Sequence, residues 1–552
     1  MTAADPHSYS NPQESRVRHI ELDLAVSFAE RKLRGAVTLS LDPAGRKLVL
    51  DTRDLTIRRV NGRTDNFRLG ARDAILGSPL EIDLEPGERS VLIEYETSPE
   101  ASGLQWLEPA QTAGRRHPFL YSQSQAIHAR SWIPLQDSPR VRATFSAHIH
   151  APAPLKALMA ARRVRDGHFH MPQPVPSYLM ALAVGDVEFR ALGARCGVWA
   201  EPAVLAAAAR EFVDVEKMVE AAESLYGPYR WGRFDLLVLP PSFPFGGMEN
   251  PCLTFATPTV IAGDRSLVAL ISHELAHSWS GNLVTNATWN DFWLNEGFTT
   301  YFERRIQEAL YGRARSEMEM AVEVGELEDE LRRLPEADQR LVLDLAGRDP
   351  DDGMTQVPYV KGALLLRHLE EKHGRGKWDA WLRGYFERFA FQSITTRDFL
   401  EELRRGFPGE DISAWLYEPG LPPEAPRPRY EFGAEPRADW TTQEWLHWLR
   451  AMPETLPAAR MTELDRQWGF TKSGNSEIAA QWLLMAVRRG YEPAYGRLEA
   501  FLIEVGRRKF VKPLYAELAK TPEGLRRARR IYERARPGYH PITRATVDSL
   551  LR

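Results

Sequence analysis

Residues 273–296 read HELAHSWSGNLVTNATWNDFWLNE and hold the side chains best suited to chemistry. His273 and His277 are four positions apart, so on a helix they stand one turn above each other with both imidazoles on one face. That spacing lets two rings reach one metal ion. Glu274 lies between them, and Glu296 follows His277 after eighteen intervening residues, enough for the helix to end, a loop to turn and a second helix to return. Two histidines and one carboxylate leave one position of a tetrahedral zinc open, as in catalytic rather than structural sites.

An HExxH stretch is short enough to arise by accident on an exposed helix. The surroundings argue against accident here. Leu267, Leu270, Ile271, Leu275, Ala276 and Trp279 make the segment apolar on most sides, as in a helix buried within a domain. Buried histidines and glutamates need partners, and a shared metal ion satisfies them together. Asp264 or Ser266 is placed to cap the helix start and Gly281 to stop it. Glu303, seven residues past Glu296 and on the same helix face, is placed to hydrogen-bond a ligand histidine. A solvated or salt-bridged glutamate fits that spacing equally well.

The elements that must hold these groups can be read from the rest of the chain. At 552 residues it exceeds a single ordinary core, and three domains are expected. Hydrophobic residues at 43% and charged residues at 26% describe a globular protein, and the net charge of −4 argues for neither a nucleic-acid binder nor a polybasic membrane anchor. Residues 1–19 are polar and lack the apolar core of a secretory signal, so a cytoplasmic location is expected. Apolar runs such as Tyr178–Val184 are too short for a membrane span. Cys196 and Cys252 form no disulfide framework or CxxC metal pattern and are expected to be buried apolar residues.

Alternation at Ile20, Leu22, Leu24, Val26 and Phe28 predicts a half-buried strand, and similar patterns recur at residues 37–41, 47–51, 91–97 and 141–149. Residues 1–188 are thus expected to form a mostly antiparallel β domain. Gln123 and Gln125 in Ser122–Arg130 would share one strand face, which composition alone makes an exposed polar face. From Val204 the period becomes helical, a buried strand follows at Phe234–Leu239, and Pro240–Asn250 carries Gly246 and Gly247 where another backbone or a ligand can approach closely. Glu249 would be a carboxylate beside such a groove, or an exposed turn residue. Helices are predicted over residues 316–333, 359–372, 377–389 and 396–405, completing a catalytic domain of residues 189–420. Four prolines in Gly420–Arg429 mark a stiff extended linker, placed at 421–435. Helical spacing of apolar residues runs through 436–552, where the many arginines read as solvated helix faces and give no nucleic-acid surface.

The chain strongly resembles the zinc aminopeptidases with GxMEN and HExxH-x18-E motifs, and within them the leukotriene A4 hydrolase-like branch. The resemblance runs through LLVLPPSFPFGGMENPCLTFATPT (236–259), the 273–296 segment, SQSQAIHAR (122–130), VPYVKG (357–362), the proline linker and GRRKFVKPLY (506–515). It implies a multidomain α+β fold: an N-terminal antiparallel β saddle, a thermolysin-like catalytic domain and an all-helical, solenoid-like C-terminal domain, with the active site in the cleft between them. It also implies one zinc per chain on His273, His277 and Glu296, with Glu274 as general base and Tyr359 stabilising the tetrahedral intermediate. Gln125 and Glu249 correspond to groups that hold the substrate's free α-amine. Gly246, Gly247 and Met248 would align the peptide backbone, while Arg507 and Lys509 would receive the carboxylate of a short peptide. The function so implied is removal of N-terminal residues from short peptides, tripeptides favoured, without an obligate protein partner.

Two alternatives stand beside it. The leukotriene A4 hydrolase branch also opens a lipid epoxide; Asp351 matches its aspartate for that reaction, but Met354 occupies the position where the vertebrate enzyme has a tyrosine. The other alternative is a catalytically silent peptide-binding scaffold, against which the presence of both Glu274 and Tyr359 argues.

Overall fold

The structure is a computed structural model that describes residues 5–453 and 455–552. Ile20, Leu22, Leu24 and Val26 are buried on one face of the strand Val17–Ser27, so their alternation translates directly into a half-buried strand. This strand lies inside a seven-stranded sheet in the order Arg162–Arg165, His168–Pro176, Arg142–His150, Val17–Ser27, Lys32–Leu41, Ser90–Glu96, Thr56–Val60. Val17–Ser27 pairs with Arg142–His150 in parallel, whereas the sheet's other pairings are antiparallel. Parallel neighbours need a long crossover; here the chain builds several further strands between Ser27 and Arg142 before returning.

The catalytic domain begins with a five-stranded sheet in the order Glu188–Ala191, Cys196–Ala200, Phe234–Val238, Thr254–Ala256, Gly247–Met248. Gly247–Met248 is its edge, paired antiparallel on one side only. Helices follow at Ala269–Ala276, Trp293–Tyr311, Arg313–Leu331, Gly362–His373, Arg375–Arg388 and Thr396–Gly406. The helix expected from Tyr359 begins instead at Gly362, behind a wide π-type turn at Val357–Lys361 that contains Pro358. Asp264 and Ser266 do not cap the Ala269–Ala276 helix; Asp264 accepts from the Ser266 backbone N–H at 2.8 Å and the helix starts two residues past the capping reach of Ser266. Gly281 has φ 100°, the left-handed turn that takes the chain away. Cys196 is buried, but Cys252 is only half-buried, its thiol donating to the Trp231 carbonyl at 3.2 Å.

One continuous apolar core runs from Val17 to Ala425, spanning the β domain, the catalytic domain and part of the proline-rich stretch. Arg429 in that stretch donates its backbone N–H to Glu317 at 2.8 Å, so the linker is fastened to the catalytic domain. The C-terminal helices, from Thr442–Arg450 to Pro541–Leu550, enclose a separate core built on Trp482, Phe501, Leu514 and neighbours. Two backbone hydrogen bonds join this helical unit to the glycine-bearing loop, from Gly506 to Pro241 at 2.8 Å and from Arg508 to Pro244 at 2.9 Å. No helix among the described residues is long and apolar enough to cross a membrane.

His540 seals the contact with the β domain: its buried ring stacks on Tyr121 at 6.0 Å and accepts the Ile542 backbone N–H at 3.2 Å. Burial, reinforced by His128, Arg544 and Arg508, lowers its pKa well below the ordinary value. An imidazole that titrates near 6.5 when unfolded and lower when folded costs stability as the pH falls below about 6.5. Thermal unfolding is therefore expected to shift to lower temperature between about pH 6.5 and 5, and His540→Asn, which keeps an acceptor for Ile542, should flatten that dependence; equal slopes in both proteins would refute the assignment.

Candidate active site

Two helices supply the metal-ligand set. His273 lies inside Ala269–Ala276, and His277 is the residue that caps its C-terminal end while keeping helical dihedrals, so the two rings remain on one side. Glu296 comes from the first turn of Trp293–Tyr311. Its Oε2 lies 3.2 Å from His273 Nε2 and 3.5 Å from His277 Nε2. The outer ring nitrogens are taken: His273 Nδ1 donates to Glu303 at 3.0 Å, and His277 Nδ1 donates to the Ser280 carbonyl at 3.0 Å with the Thr299 hydroxyl 3.1 Å away. Such outer contacts fix ring orientation and leave the inner nitrogens to a metal.

The electrostatics of the group are those of a buried excess of negative charge. Burial alone would lower the pKa of His273, but Glu296 and Glu303 overcome it and hold the ring well above its ordinary value. Burial pushes the Glu274 carboxyl up to about 8, with His273 acting in the opposite sense. Glu249 is raised well above the carboxylate range by burial and by the neighbouring Glu296 and Glu274. The donor set of two imidazoles and a carboxylate, in surroundings this anionic, fits zinc, and a divalent cation there would draw the neighbouring carboxyls back towards ionisation.

Around this centre the backbone comes unusually close. A Cβ on Gly247 would sit 2.2 Å from Glu274 Oε1, so the Glu274 carboxylate lies directly against the edge strand. A Cβ on Gly246 would meet Leu270 at 2.8 Å and the Arg507 guanidinium at 2.9 Å. Met248 is buried, with the Gln123 amide 3.2 Å from its sulfur. Glu249, Glu274 and His277 place ligand atoms within 4.8 Å of one another, and Glu249 Oε1 is buried with no protein partner. Asn282 holds the Glu249 backbone carbonyl at 2.8 Å. Gln125 is buried rather than exposed, and its amide nitrogen likewise has no protein partner. Tyr359 stacks on His273 at 6.1 Å and 19°. It is held there because Gly297 and Gly362 let two helices touch: a Cβ on Gly297 would lie 2.8 Å from Gly362 Cα.

Arg507 and Lys509 do not stand free. Glu477, at the start of the helix Ser476–Arg489, contacts Arg507 at 3.3 Å and Lys509 at 3.0 Å, and Arg507 also donates to Thr259 at 3.0 Å. The Arg507 side chain is 11% exposed, whereas that of Lys509 is 44% exposed. Asp351 sits apart from the ligand cluster, 3.7 Å from His128 Nε2. Burial would raise its carboxyl, but His128 outweighs that and holds it below the ordinary aspartate range. Thr299, Ser280, Glu477, Asn282 and His128 were not foreseen from the sequence. Of these, only Thr299 carried a signal, three residues past Glu296 on the same helix face.

A paired-helix HExxH site beside a sheet edge left unpaired on one side defines a zinc metallopeptidase. Three family models match: the Peptidase M1 N-terminal domain over residues 6–179, the Peptidase family M1 domain over 211–417 and Leukotriene A4 hydrolase, C-terminal, over 440–551. Leukotriene A-4 hydrolase of Xenopus laevis is 38% identical, covering 99% of this chain and 98% of its own length, and Leucine aminopeptidase 2 of Yarrowia lipolytica is 37% identical over 99% and 93%. The yeast LTA4 hydrolase structure in complex with Bestatin superimposes with a TM-score of 0.92 at 34% identity, covering 100% of this chain and 98% of that one. An M1 zinc metallopeptidase from Deinococcus radiodurans gives 0.58 at 26% identity over 75% and 96%. The chain belongs to peptidase family M1, with the leukotriene A4 hydrolase type of C-terminal domain, and is a zinc metalloaminopeptidase with a single catalytic zinc.

The Glu303 contact makes a measurable claim. Glu303→Gln is expected to weaken zinc retention by roughly 10–100-fold in competition with a chelator, the usual cost of losing such a support; unchanged retention would show that Glu303 does not brace His273.

Proposed function

We propose that this protein removes single residues from the amino end of short peptides, with tripeptides favoured. The observation that carries the reading is the buried, unpartnered Glu249 oxygen at the end of a sheet edge, beside Glu274 and His277. A peptide added to Gly247–Met248 as a further strand would be aligned by main-chain hydrogen bonds. Its ammonium would be fixed by Glu249 and the Gln125 side chain, so only the first peptide bond reaches the catalytic groups.

Zinc held by His273, His277 and Glu296 supplies Lewis acidity at the carbonyl and the attacking water. Glu274, lying against Gly247, takes the water's proton and later delivers it to the leaving amine. Tyr359 remains a phenol because burial and the carboxylates Glu296 and Glu249 raise its pKa well above the ordinary value. It is therefore a donor for the developing oxyanion, a contact that contributes about 3 kcal/mol in comparable sites. Arg507 would receive the far carboxylate, with Glu477 and Thr259 orienting the guanidinium. Lys509, more exposed, adds a point charge at the cleft mouth.

Epoxide opening is the second reading, favoured by a single observation: Asp351 keeps one buried oxygen, Oδ1, without a protein partner. It ranks below peptidase action because Asp351 stands away from the ligand cluster, against His128. An assay over aminoacyl anilides, tripeptides and the lipid epoxide decides the order, and epoxide conversion at a rate rivalling peptide cleavage would reverse it.

Two substitutions test the assigned roles. Glu274→Gln should leave zinc content intact while lowering kcat by roughly 10²–10⁴-fold, the range for loss of a general base; a zinc-loaded, active variant would remove Glu274 from that role. Arg507→Ala should lower kcat/KM for tripeptides by roughly 10–100-fold, the worth of a hydrogen bond to a charged group at about 1.5–3 kcal/mol. Aminoacyl anilides, which lack the carboxylate, should lose much less, and equal losses would discard the carboxylate role.

A further inference from the structure

The outer face of the seven-stranded sheet carries a group of side chains that the peptidase chemistry does not use. Asp23, on Val17–Ser27, stands directly opposite His148, on Arg142–His150, and His148 in turn stands opposite His168, on His168–Pro176. His150 lies two residues beyond His148, hence on the same face of its strand. Register alone therefore gathers three imidazoles and a carboxylate over three adjacent strands spaced about 4.8 Å apart.

The side chains use that placement. Asp23 bridges the pair: its Oδ1 is 2.8 Å from His150 Nε2 and its Oδ2 is 3.6 Å from His148 Nδ1. Ligand atoms of Asp23, His148 and His150 all lie within 4.8 Å of one another. The His148 ring is 3.8 Å from His150 and stacks on His168 at 3.9 Å and 26°. His168 is already committed, because Arg165 can only donate to its Nε2, at 2.9 Å, leaving its Nδ1–H to the Asp166 carbonyl at 3.0 Å. It is thus a packing partner that orients His148, while His148 and His150 keep nitrogens turned to the carboxylate.

We propose that Asp23, His148 and His150 form a second divalent transition-metal site, on the solvent face of the β domain and separate from the catalytic centre. Imidazole with a single carboxylate suits zinc, copper or nickel rather than calcium or magnesium, which prefer all-oxygen shells. Three protein donors on a surface leave the remaining positions to water. Both ligand-bearing strands are interior to the sheet, so the backbone that presents the donors is held on each side by neighbours. An ion here would staple the parallel pair Val17–Ser27 and Arg142–His150, the long-range contact that closes the β domain. Binding to the folded form alone raises stability with metal concentration.

The test uses the full-length enzyme loaded with zinc and dialysed against rising zinc concentrations, with bound metal counted by atomic emission. Wild type should reach two equivalents per chain and gain thermal stability as the second binds. The His148→Ser, His150→Ser double variant should stop at one equivalent, lose the zinc-dependent rise in Tm and keep its peptidase rate. Asp23→Asn, which preserves side-chain shape, should weaken the second equivalent without touching the first. A single equivalent in wild type, or a second equivalent that survives the double substitution or binds the Asp23→Asn protein unchanged, would overturn the proposal.

Discussion

Glu296 lies 3.2 and 3.5 Å from two imidazoles while Glu303 holds the outer nitrogen of one of them, and Glu249 and Glu274 close in from the sheet edge. So many buried carboxylates around so few bases cannot all ionise without a compensating cation. The rest of the catalytic domain can be understood as what it takes to keep these groups together despite that repulsion. Two helices are clamped by Gly297 against Gly362, and a strand is pressed on Glu274 through Gly247. The same contacts that build a place for zinc also bring Tyr359 and Glu249 to it, so on the proposed reading metal binding and substrate placement share a single scaffold.

The residues that carry chemistry were legible wherever helical or strand periodicity fixed their direction. Spacings of four between His273 and His277 and of seven between Glu296 and Glu303 put side chains on one face, and the structure has them meeting at one point. Thr299 obeyed the same rule and was overlooked. What the sequence concealed were contacts between segments far apart in the chain. Nothing near Glu477 signals that it will meet Arg507 and Lys509, and Gly297 reads as a weak point in a helix until Gly362 is seen against it. Gln125 is the sharpest case, since a polar alternation that suggests an exposed face turns out to be buried.

At the level of the fold, alternation located the strands of the β domain but not their pairing, because period-two patterns are silent on whether a neighbour runs parallel or antiparallel. Asp264 and Ser266 have the residue types of a cap, but the Asp264 carboxylate is taken by the Ser266 backbone N–H and the Ser266 hydroxyl by Thr442 before the helix begins. Proline and glycine content marked the stretch after Gly420, yet composition could not show that Ala425 and Arg429 would anchor it to the catalytic domain.

The division of the molecule into two apolar cores, one from Val17 to Ala425 and the other within the C-terminal helices, has a bearing on how this enzyme moves. Cores that share no side chains are free to act as separate cooperative units. The helical unit owns Arg507 and touches the glycine loop through the Gly506 and Arg508 backbone, whereas the metal ligands and Tyr359 belong wholly to the other unit. Local unfolding confined to the helical unit would thus displace Arg507 and leave the metal ligands and Tyr359 in place. On the proposed reading, peptide length and peptide cleavage are controlled by different parts of the fold.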